Sequence, residues 1–421
     1  MHEGYSNPFS PYSKAMRYVP VLRCPMCIFG VTVLLPFRLI TITIALAVCY
    51  VFAKIGLINT KHVKKPPTGW RNAIAVRGIS FVVWITMFFC GFYRIKIKGV
   101  RPAGSYVTPV YVAAPRSNFL NALLPFLLRA SPVYNQNVRR IPIIGSISKA
   151  MRAVLYKGKH YTPEMVEDMN RRKRETGWLP ILIFPEEVYT NGATLIHFPT
   201  ELFQIMTPVQ PVAISYSSSA KSRTVNQSIS ICLLLRILCR FKHSITIKYL
   251  DVVYPDTGNE NAIEFTRRVR DKLADSLGVY TSEHSKEDIQ LMTSARRLGL
   301  PPLTGVVEFM ALKKEFDSLT LEIAEKELVR FCQIDRRSRG CISLVDFAHF
   351  LKETTSQANS LFKNYKLDDN GCLSFRNFLE GNLGQSSGPL LSPIEEGGEK
   401  GGRKRPTNML IQRHSKSEIY N

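Results

Sequence analysis

Two long apolar runs occupy the start of the chain, short alternating blocks follow, and a helical pattern near the end gives way to Gly and Ser. The first run spans Cys24 to Ala53 and is interrupted by Pro36 and Arg38, leaving Leu39–Ala53 uncharged. The second, Ile79–Tyr93, lies between Arg77 and Arg94. Each uncharged stretch is about fifteen residues, short of the roughly 20 that cross a hydrocarbon core as a helix. Further on, β-like runs at Tyr111–Ala114, Ala153–Tyr156, Pro180–Phe184, Val209–Tyr216 and Ser244–Val253 alternate with helical patterns. The helical patterns fall at Asn121–Arg129, Gly145–Met151, Pro163–Thr176 and Ile229–Phe241. Such alternation predicts an α/β domain over residues 101–256, with helices on a mainly parallel sheet. Loops leaving the strand ends are where such folds place chemistry.

Charge sharpens the picture of the front end. The 421 residues include 56 Lys+Arg and 33 Asp+Glu, a formal net charge of +23. Residues 1–100 hold thirteen of the basic residues and a single acid, Glu3. A nucleic-acid binder spreads its charge over the binding domain, whereas here the charge brackets the apolar runs, which points to membrane phospholipids and not to nucleic acid. Lys54, Lys61, Lys64, Lys65, Arg71 and Arg77 lie between or just before the two runs, and Arg94, Lys96, Lys98 and Arg101 follow the second. The positive-inside rule draws both flanks to the cytosol, which one complete crossing cannot satisfy. A re-entrant or interfacial insertion satisfies it; two short transmembrane helices with snorkelling lysines are the alternative. Hydrophobic content of 45% excludes a disordered chain. Nine cysteines, an odd number with one lone CxxC at Cys24 and Cys27, favour a reducing compartment over a disulfide framework.

Past a helical connector at 257–304, Asp335–Asp346 and Lys366–Asn377 have the form of twelve-residue calcium loops. Gly340 and Gly371 fall at the sixth position, and Ile342 and Leu373 at the eighth. Asp335, Asp346, Asp368 and Asn370 are the candidate metal ligands. Arg337 and Arg339 stand at ligand positions of the first loop, and Lys366 and Asn377 at the first and last of the second. Cations in a coordination shell oppose calcium, so residues 305–383 read as an EF-hand-like pair with little calcium affinity. Residues 384–421 read as a flexible tail by composition.

The central loops carry a resemblance. Ala114-Pro115-Arg116-Ser117-Asn118-Phe119-Leu120-Asn121 resembles the first motif of glycerolipid acyltransferases, a His followed five positions later by Asp. Gly145 and Arg152 are similar to the Gly-x6-Arg second motif, Phe184-Pro185-Glu186 opens the Phe-Pro-Glu-Gly-Thr third, and Pro208–Val212 resembles the fourth. Thr190-Asn191-Gly192 and Leu195-Ile196-His197-Phe198 are similar to the lysophosphatidylcholine acyltransferase branch, which also has an apolar front end and an EF-hand pair. The resemblance implies acyl transfer from acyl-CoA to a lysophospholipid, with the His as general base and the Asp orienting it. It places substrate contacts at Arg152, Pro185, Glu186, Glu187, Asn191 and Gly192, and a location on the endoplasmic reticulum or Golgi. No tightly bound cofactor is implied.

The sequence departs from that pattern where the chemistry lies. Arg116 stands at the His position and Asn121 at the Asp position, while Glu187 and Val188 replace the Gly and Thr of the third motif. A guanidinium holds its proton at neutral pH and cannot act as a base. The expectation is therefore a family fold with its catalytic dyad lost, retaining lipid or acyl-CoA binding and pairing with an active relative. Two alternatives stand beside it: an active enzyme with an atypical base such as Glu187, and an EF-hand scaffold anchored to membrane. His197, in an apolar run, reads as structural.

Overall fold

The computed structural model describes residues 29–384 except 59–65, 67–68, 102–109, 118, 158–161, 191, 217–237, 257 and 369. Most of the helix expected at Ile229–Phe241, together with Cys24, Cys27, Asn191 and the tail, lies outside the described residues.

A π-helical turn, Gly30–Leu34, leads into helix α1, Leu35–Leu57. Together they make one apolar helix of 28 residues, and α2, Trp70–Phe89, adds a second of 20. Both are long and apolar enough to cross a bilayer. The interruption expected at Pro36 and Arg38 is therefore absent. Pro36 sits where the π-helical turn Gly30–Leu34 gives way to α1, and the helix continues past it. Arg38 turns inward and is only 1% exposed. Its guanidinium donates to the carbonyls of Phe89 at 2.9 Å and of Leu238 and Arg240 at 2.6 Å each.

The two helices form an antiparallel hairpin. Gly56 lies against Ala75, Gly78 against the Phe52 ring, and Phe37 against Phe89. A Cβ added at Gly56 would stand 2.6 Å from the Ala75 Cβ, so only glycine permits this approach. The inner face of the hairpin, with Cys49, Ala53, Val76, Ile79 and Val83, packs on Phe126, Ile147, Ala150 and Met151 of the α/β domain. Its outer face leaves Ile40, Ile44, Val51, Phe81 and Trp84 exposed.

The domain is built on a seven-stranded sheet ordered β1-β8-β7-β2-β5-β3-β4. Its strands are β1 Arg94–Lys98, β2 Val110–Ala114, β3 Ser131–Asn135, β4 Val154–Tyr156, β5 Ile181–Ile183, β7 Val209–Tyr216 and β8 Ser244–Tyr249. All neighbours run parallel except β7 and β8, so the sheet is mixed and mostly parallel, as expected. Two strands escaped the sequence pattern. In β1 the basic residues alternate with Ile95 and Ile97 at an edge, and β3 contains Pro132, which argues against a strand. Conversely, the helix expected over Asn121–Arg129 is a 3-10 turn, Phe119–Leu123, and one short turn of α3, Leu124–Leu127. Helices α4, Pro142–Ala150, and α5, Pro163–Arg174, form where periodicity placed them.

Alternation along β2 divides the core into two layers. Tyr111 and Ala113 face a cluster with Met87, Leu182 and Ile247, while Val110, Val112 and Ala114 face Ile183, Phe265 and Val269. The latter two belong to α6, Ala262–Leu277, whose N-terminus is closed by an Asn261–Glu264 capping box.

A short parallel pair, β6 (Thr194–Leu195) with β9 (Tyr280–Thr281), ties the domain to a C-terminal helical unit. That unit comprises α7 Lys286–Arg297, α8 Phe309–Glu315, α9 Leu321–Ile334, α10 Leu344–Leu351, α11 Thr355–Phe362 and α12 Phe375–Gly384. Between the helices, β10 (Cys341–Ile342) and β11 (Leu373–Ser374) pair antiparallel. Ile342 and Leu373 meet across this pair, fully buried on Phe331, Phe347, Phe375 and Phe378. Gly340 and Gly371 adopt φ of +80° and +69°, which explains the glycine before each of these strands.

Candidate active site

Parallel strands deliver their C-terminal ends to one edge of the sheet, and β2 and β5 are neighbours there. The segment Pro115-Arg116-Ser117 leaves β2, and Phe184-Pro185-Glu186-Glu187-Val188 leaves β5. The two loops are joined by Glu186, which is fully buried. Its Oε2 accepts the Arg116 main-chain N–H at 2.5 Å and its Oε1 accepts that of Ile196 at 3.3 Å. Burial pushes the Glu186 carboxyl up to about 7, against the pull of these two N–H groups and of the Arg116 charge. The Arg116 carbonyl in turn accepts the Thr190 N–H at 3.1 Å.

The Arg116 side chain is held as firmly. Its Nη1 donates to the Glu187 carbonyl at 3.1 Å and to that of Glu186 at 3.4 Å, and its guanidinium lies 4.9 Å from the centre of the Tyr189 ring. Asn121 is 2% exposed, donates from Nδ2 to the Pro115 carbonyl at 3.0 Å, and accepts the Tyr216 hydroxyl on Oδ1. No side chain at either dyad position thus carries a group that accepts a proton at neutral pH.

The replaced residues of the third motif face the C-terminal unit. Glu187 is ion-paired with Lys286 at the start of α7. Val188 is buried with Ile196, Ile289 and Met292, two of them on α7. Pro185 is buried at the base of the loop, and Gly192, at φ +68°, brings its backbone against Pro115 and Ser117. A Cβ at Gly192 would meet both at 3.4 Å.

Arg152 is not part of this cluster. It precedes β4 and so lies toward the opposite edge of the sheet from Arg116, which follows β2. Arg152 is 1% exposed, adopts φ +52°, and its Nε and Nη1 have no hydrogen-bond partner. Burial pulls its pKa down. Its carbonyl accepts Arg172 Nη1 at 2.6 Å, and Arg172 also pairs with Asp168 at 2.8 Å and stacks on Trp178. The basic run of α5 is thus partly internal.

Four residues of the neighbourhood had no motif to announce them. Tyr134 and Tyr156 both sense the charge of Arg116, Tyr189 carries its guanidinium, and Lys286 neutralises Glu187. Tyr156 alone had a signal, since it ends a strand expected from the sequence. His197 donates its main-chain N–H to the His284 carbonyl at 2.8 Å. Burial, with Arg270 nearby, pulls its imidazole down to about 4.

In the first C-terminal loop, Asp335 accepts the N–H groups of Arg339 at 3.1 Å and Gly340 at 2.7 Å. Asp346 accepts the Ser343 hydroxyl at 2.6 Å and Arg339 Nη2 at 3.0 Å. Burial raises the Asp346 carboxyl, but these bonds and the charges of Arg339 and Arg337 outweigh it and hold it below the usual range. In the second loop, Asp368 accepts the N–H groups of Asn370 at 3.1 Å and Cys372 at 2.6 Å, while Asn377 Nδ2 closes the loop on the Lys366 carbonyl at 2.7 Å.

Known proteins share similarity with much of the chain. Lysophosphatidylcholine acyltransferase 2 of Danio rerio is 30% identical over 367 residues, covering 83% of this chain and 68% of that protein. Lysophosphatidylcholine acyltransferase 2 of Homo sapiens is 28% identical over 386 residues, covering 88% and 70%. Lysophosphatidylcholine acyltransferase 2B of Mus musculus is 29% identical over 362 residues, covering 83% and 69%. The crystal structure of the 1-acyl-sn-glycerophosphate (LPA) acyltransferase PlsC from Thermotoga maritima aligns with a TM-score of 0.44 at 14% identity, over 60% of this chain and 97% of that one. No protein-family model matches the chain. On the extent and identity of these sequence matches, the chain belongs to the lysophospholipid acyltransferase family, with relatives named lysophosphatidylcholine acyltransferase.

Proposed function

We propose that this protein is a membrane-associated family member that binds lysophospholipid and acyl-CoA but does not carry out acyl transfer by the family's general-base route. In that reaction the acceptor hydroxyl gives up its proton as its oxygen bonds to the acyl carbon, and the CoA sulfur leaves. The observation that carries the proposal is the Arg116 guanidinium, standing at the position of the base and fixed by two carbonyls and the Tyr189 ring. Asn121 supports it, since both ends of its amide are already engaged. The two nearby carboxylates are engaged as well, Glu186 with two main-chain donors and Glu187 with Lys286. What this edge of the sheet offers a ligand is a fixed cation beside tyrosines, suited to the phosphate of a lysophospholipid or of CoA.

The C-terminal loops form an EF-hand-like pair that folds without calcium. The Arg339–Asp346 pair supports this, because it places an internal cation against the last carboxylate of the loop. We place the protein on the cytosolic face of the endoplasmic reticulum or Golgi membrane, in keeping with the basic flanks of its apolar helices.

The test is acyl transfer from acyl-CoA to lysophosphatidylcholine, with acyl-CoA binding measured in parallel. Wild type is expected to bind acyl-CoA and to turn over at the level of empty membranes. Wild-type turnover that persists at the level of an active relative overturns the proposal. Absence of both turnover and acyl-CoA binding favours a scaffold that uses its lipid domain only as an anchor. Restoring Arg116→His, Asn121→Asp, Glu187→Gly and Val188→Thr together tests whether these positions suffice. A missing base alone accounts for about 10²–10⁴ in rate.

A further inference from the structure

Helix α4 carries an apolar stripe that the rest of the protein covers only in part. Ile143, Ile147, Ala150 and Met151 recur at the spacing of one helix face, and Ile144 lies three residues before Ile147 and seven before Met151. Ile147, Ala150 and Met151 are buried on Cys49, Ala53, Ile79 and Val83 of the hairpin. The other end is bare. Ile141, Ile143 and Ile144 are 47%, 40% and 40% exposed. With Arg139, Arg140 and Pro142 they make six consecutive exposed residues, Arg-Arg-Ile-Pro-Ile-Ile. Exposed apolar side chains in such a run favour association, so the run points to something that covers it. The turn is folded tightly on its helix. Gly145 donates its N–H to the Ile141 carbonyl at 2.6 Å, and a Cβ at Gly145 would stand 2.6 Å from the Arg139 carbonyl oxygen. Neither Arg139 nor Arg140 is ion-paired among the described residues.

We propose that the 139–144 turn is a second membrane contact, separate from the hairpin, that seats the α/β domain on anionic phospholipid. Its isoleucines enter the boundary between headgroups and acyl chains, and its arginines meet the lipid phosphates. The proposal rests on the membrane association proposed above and adds which part of the domain meets the lipid. Two observations favour a bilayer as the occupant. The covered half of the stripe packs on the hairpin, whose opposite face exposes Ile40, Ile44 and Phe81, so the bare half continues from the element assigned to lipid. Charge is the second. Between Glu3 and Glu164 the chain holds twenty-two Lys and Arg and not one Asp or Glu, so no acidic residue of this whole segment repels an anionic surface. The hairpin tethers the chain, and the turn fixes the orientation of the domain above the bilayer.

The experiment places the photoreactive residue p-benzoylphenylalanine in the full chain, one position at a time, in place of Ile144, Ile141, Ile44 or Val345. Each protein is reconstituted in vesicles of phosphatidylcholine with phosphatidylserine, irradiated, and its adducts are identified by mass spectrometry. Ile44 is on the outer face of the hairpin and reports membrane association itself, while Val345, 65% exposed in the C-terminal unit, is the control for random collision. Lipid adducts are expected at 144, 141 and 44 and not at 345. Combining Arg139→Gln with Arg140→Gln should lower the yield at 144 by about fivefold for each arginine removed, and leave the yield at 44 unchanged. Lipid at 44 but at neither 141 nor 144 overturns this inference and leaves the membrane reading standing. No lipid at 44 overturns both. Adducts of 141 and 144 with protein in place of lipid make the turn a protein-docking surface and overturn the proposal. A yield at 144 that is the same in pure phosphatidylcholine, and indifferent to the two arginines, overturns the part assigned to anionic phosphate.

Discussion

The Glu186 carboxylate sits fully buried between two main-chain donors, and burial still wins, pushing its pKa up to about 7. An unfolded glutamate ionises near 4.3. Between these values the native state holds a proton that the unfolded state has released, so this residue makes the fold less stable as pH rises from about 4.5 to 7. Asp288, buried and also pushed up to about 7, acts in the same direction. Comparison of wild type with Glu186→Gln isolates the one residue. The variant is expected to gain on wild type by about 2–3 kcal/mol across that window, read from denaturation curves at pH 5 and pH 7. A difference that stays constant with pH would mean that Glu186 is charged throughout. The same residue shows why a family motif survives loss of chemistry: its carboxylate holds the β2 and β5 loops together whether or not a proton is transferred beside it.

At the level of elements, the replaced third-motif residues bind helix α7. Glu187 meets Lys286, and Val188 packs on Ile289 and Met292. Both partners of the ion pair are largely buried, so removing one leaves an uncompensated charge at a cost of about 3–5 kcal/mol. Lys286→Ala should destabilise by an amount of that order, and Glu187→Gly combined with Lys286→Ala by less than the sum of the two singles. Strict additivity in denaturation would show that the two charges do not communicate. Much of the sheet was legible because β2, β5 and β7 are short β-rich runs bounded by breakers. β1 was hidden by its basic residues, which an edge strand tolerates, and β3, lying between β5 and β4, by Pro132. At the site, order along the chain located Arg116, Asn121, Glu186 and Glu187. It could not reveal Lys286 or Tyr189, whose roles come from tertiary approach. Arg152 emerges before β4, apart from Arg116 after β2, because a motif spacing fixes separation along the chain and not the end of the sheet on which a residue emerges.

For the whole molecule, the hairpin is the decisive object. Helix α2 contributes Val76, Ile79, Val83 and Met87 to clusters shared with the domain, so most of its length lies along the protein. The exposed row of Ile40, Ile44, Phe81 and Trp84 is the face that insertion into one leaflet would bury in lipid. A single cysteine placed in the loop between α1 and α2 is expected to react with an impermeant thiol reagent from the cytosolic side of sealed microsomes. Labelling from the lumenal side only would establish a complete crossing.

The Arg38 contacts also set a schedule for synthesis. Their carbonyl partners at Leu238 and Arg240 lie 200 and 202 residues downstream. At ordinary elongation rates of about 5–20 residues per second, the helix waits roughly 10–40 s for the groups that will receive its buried cation. Strand β1 also waits, since its partners lie 150 residues downstream, Arg94 pairing with Ser244. During that interval the Arg38 guanidinium lacks two of its carbonyl acceptors, although Phe126, Ile147 and Met151, on which the hairpin packs, are already made. The buried Arg38 is therefore secured only once residue 240 has been made, later than the hairpin's partners Phe126, Ile147 and Met151 and earlier than the C-terminal unit.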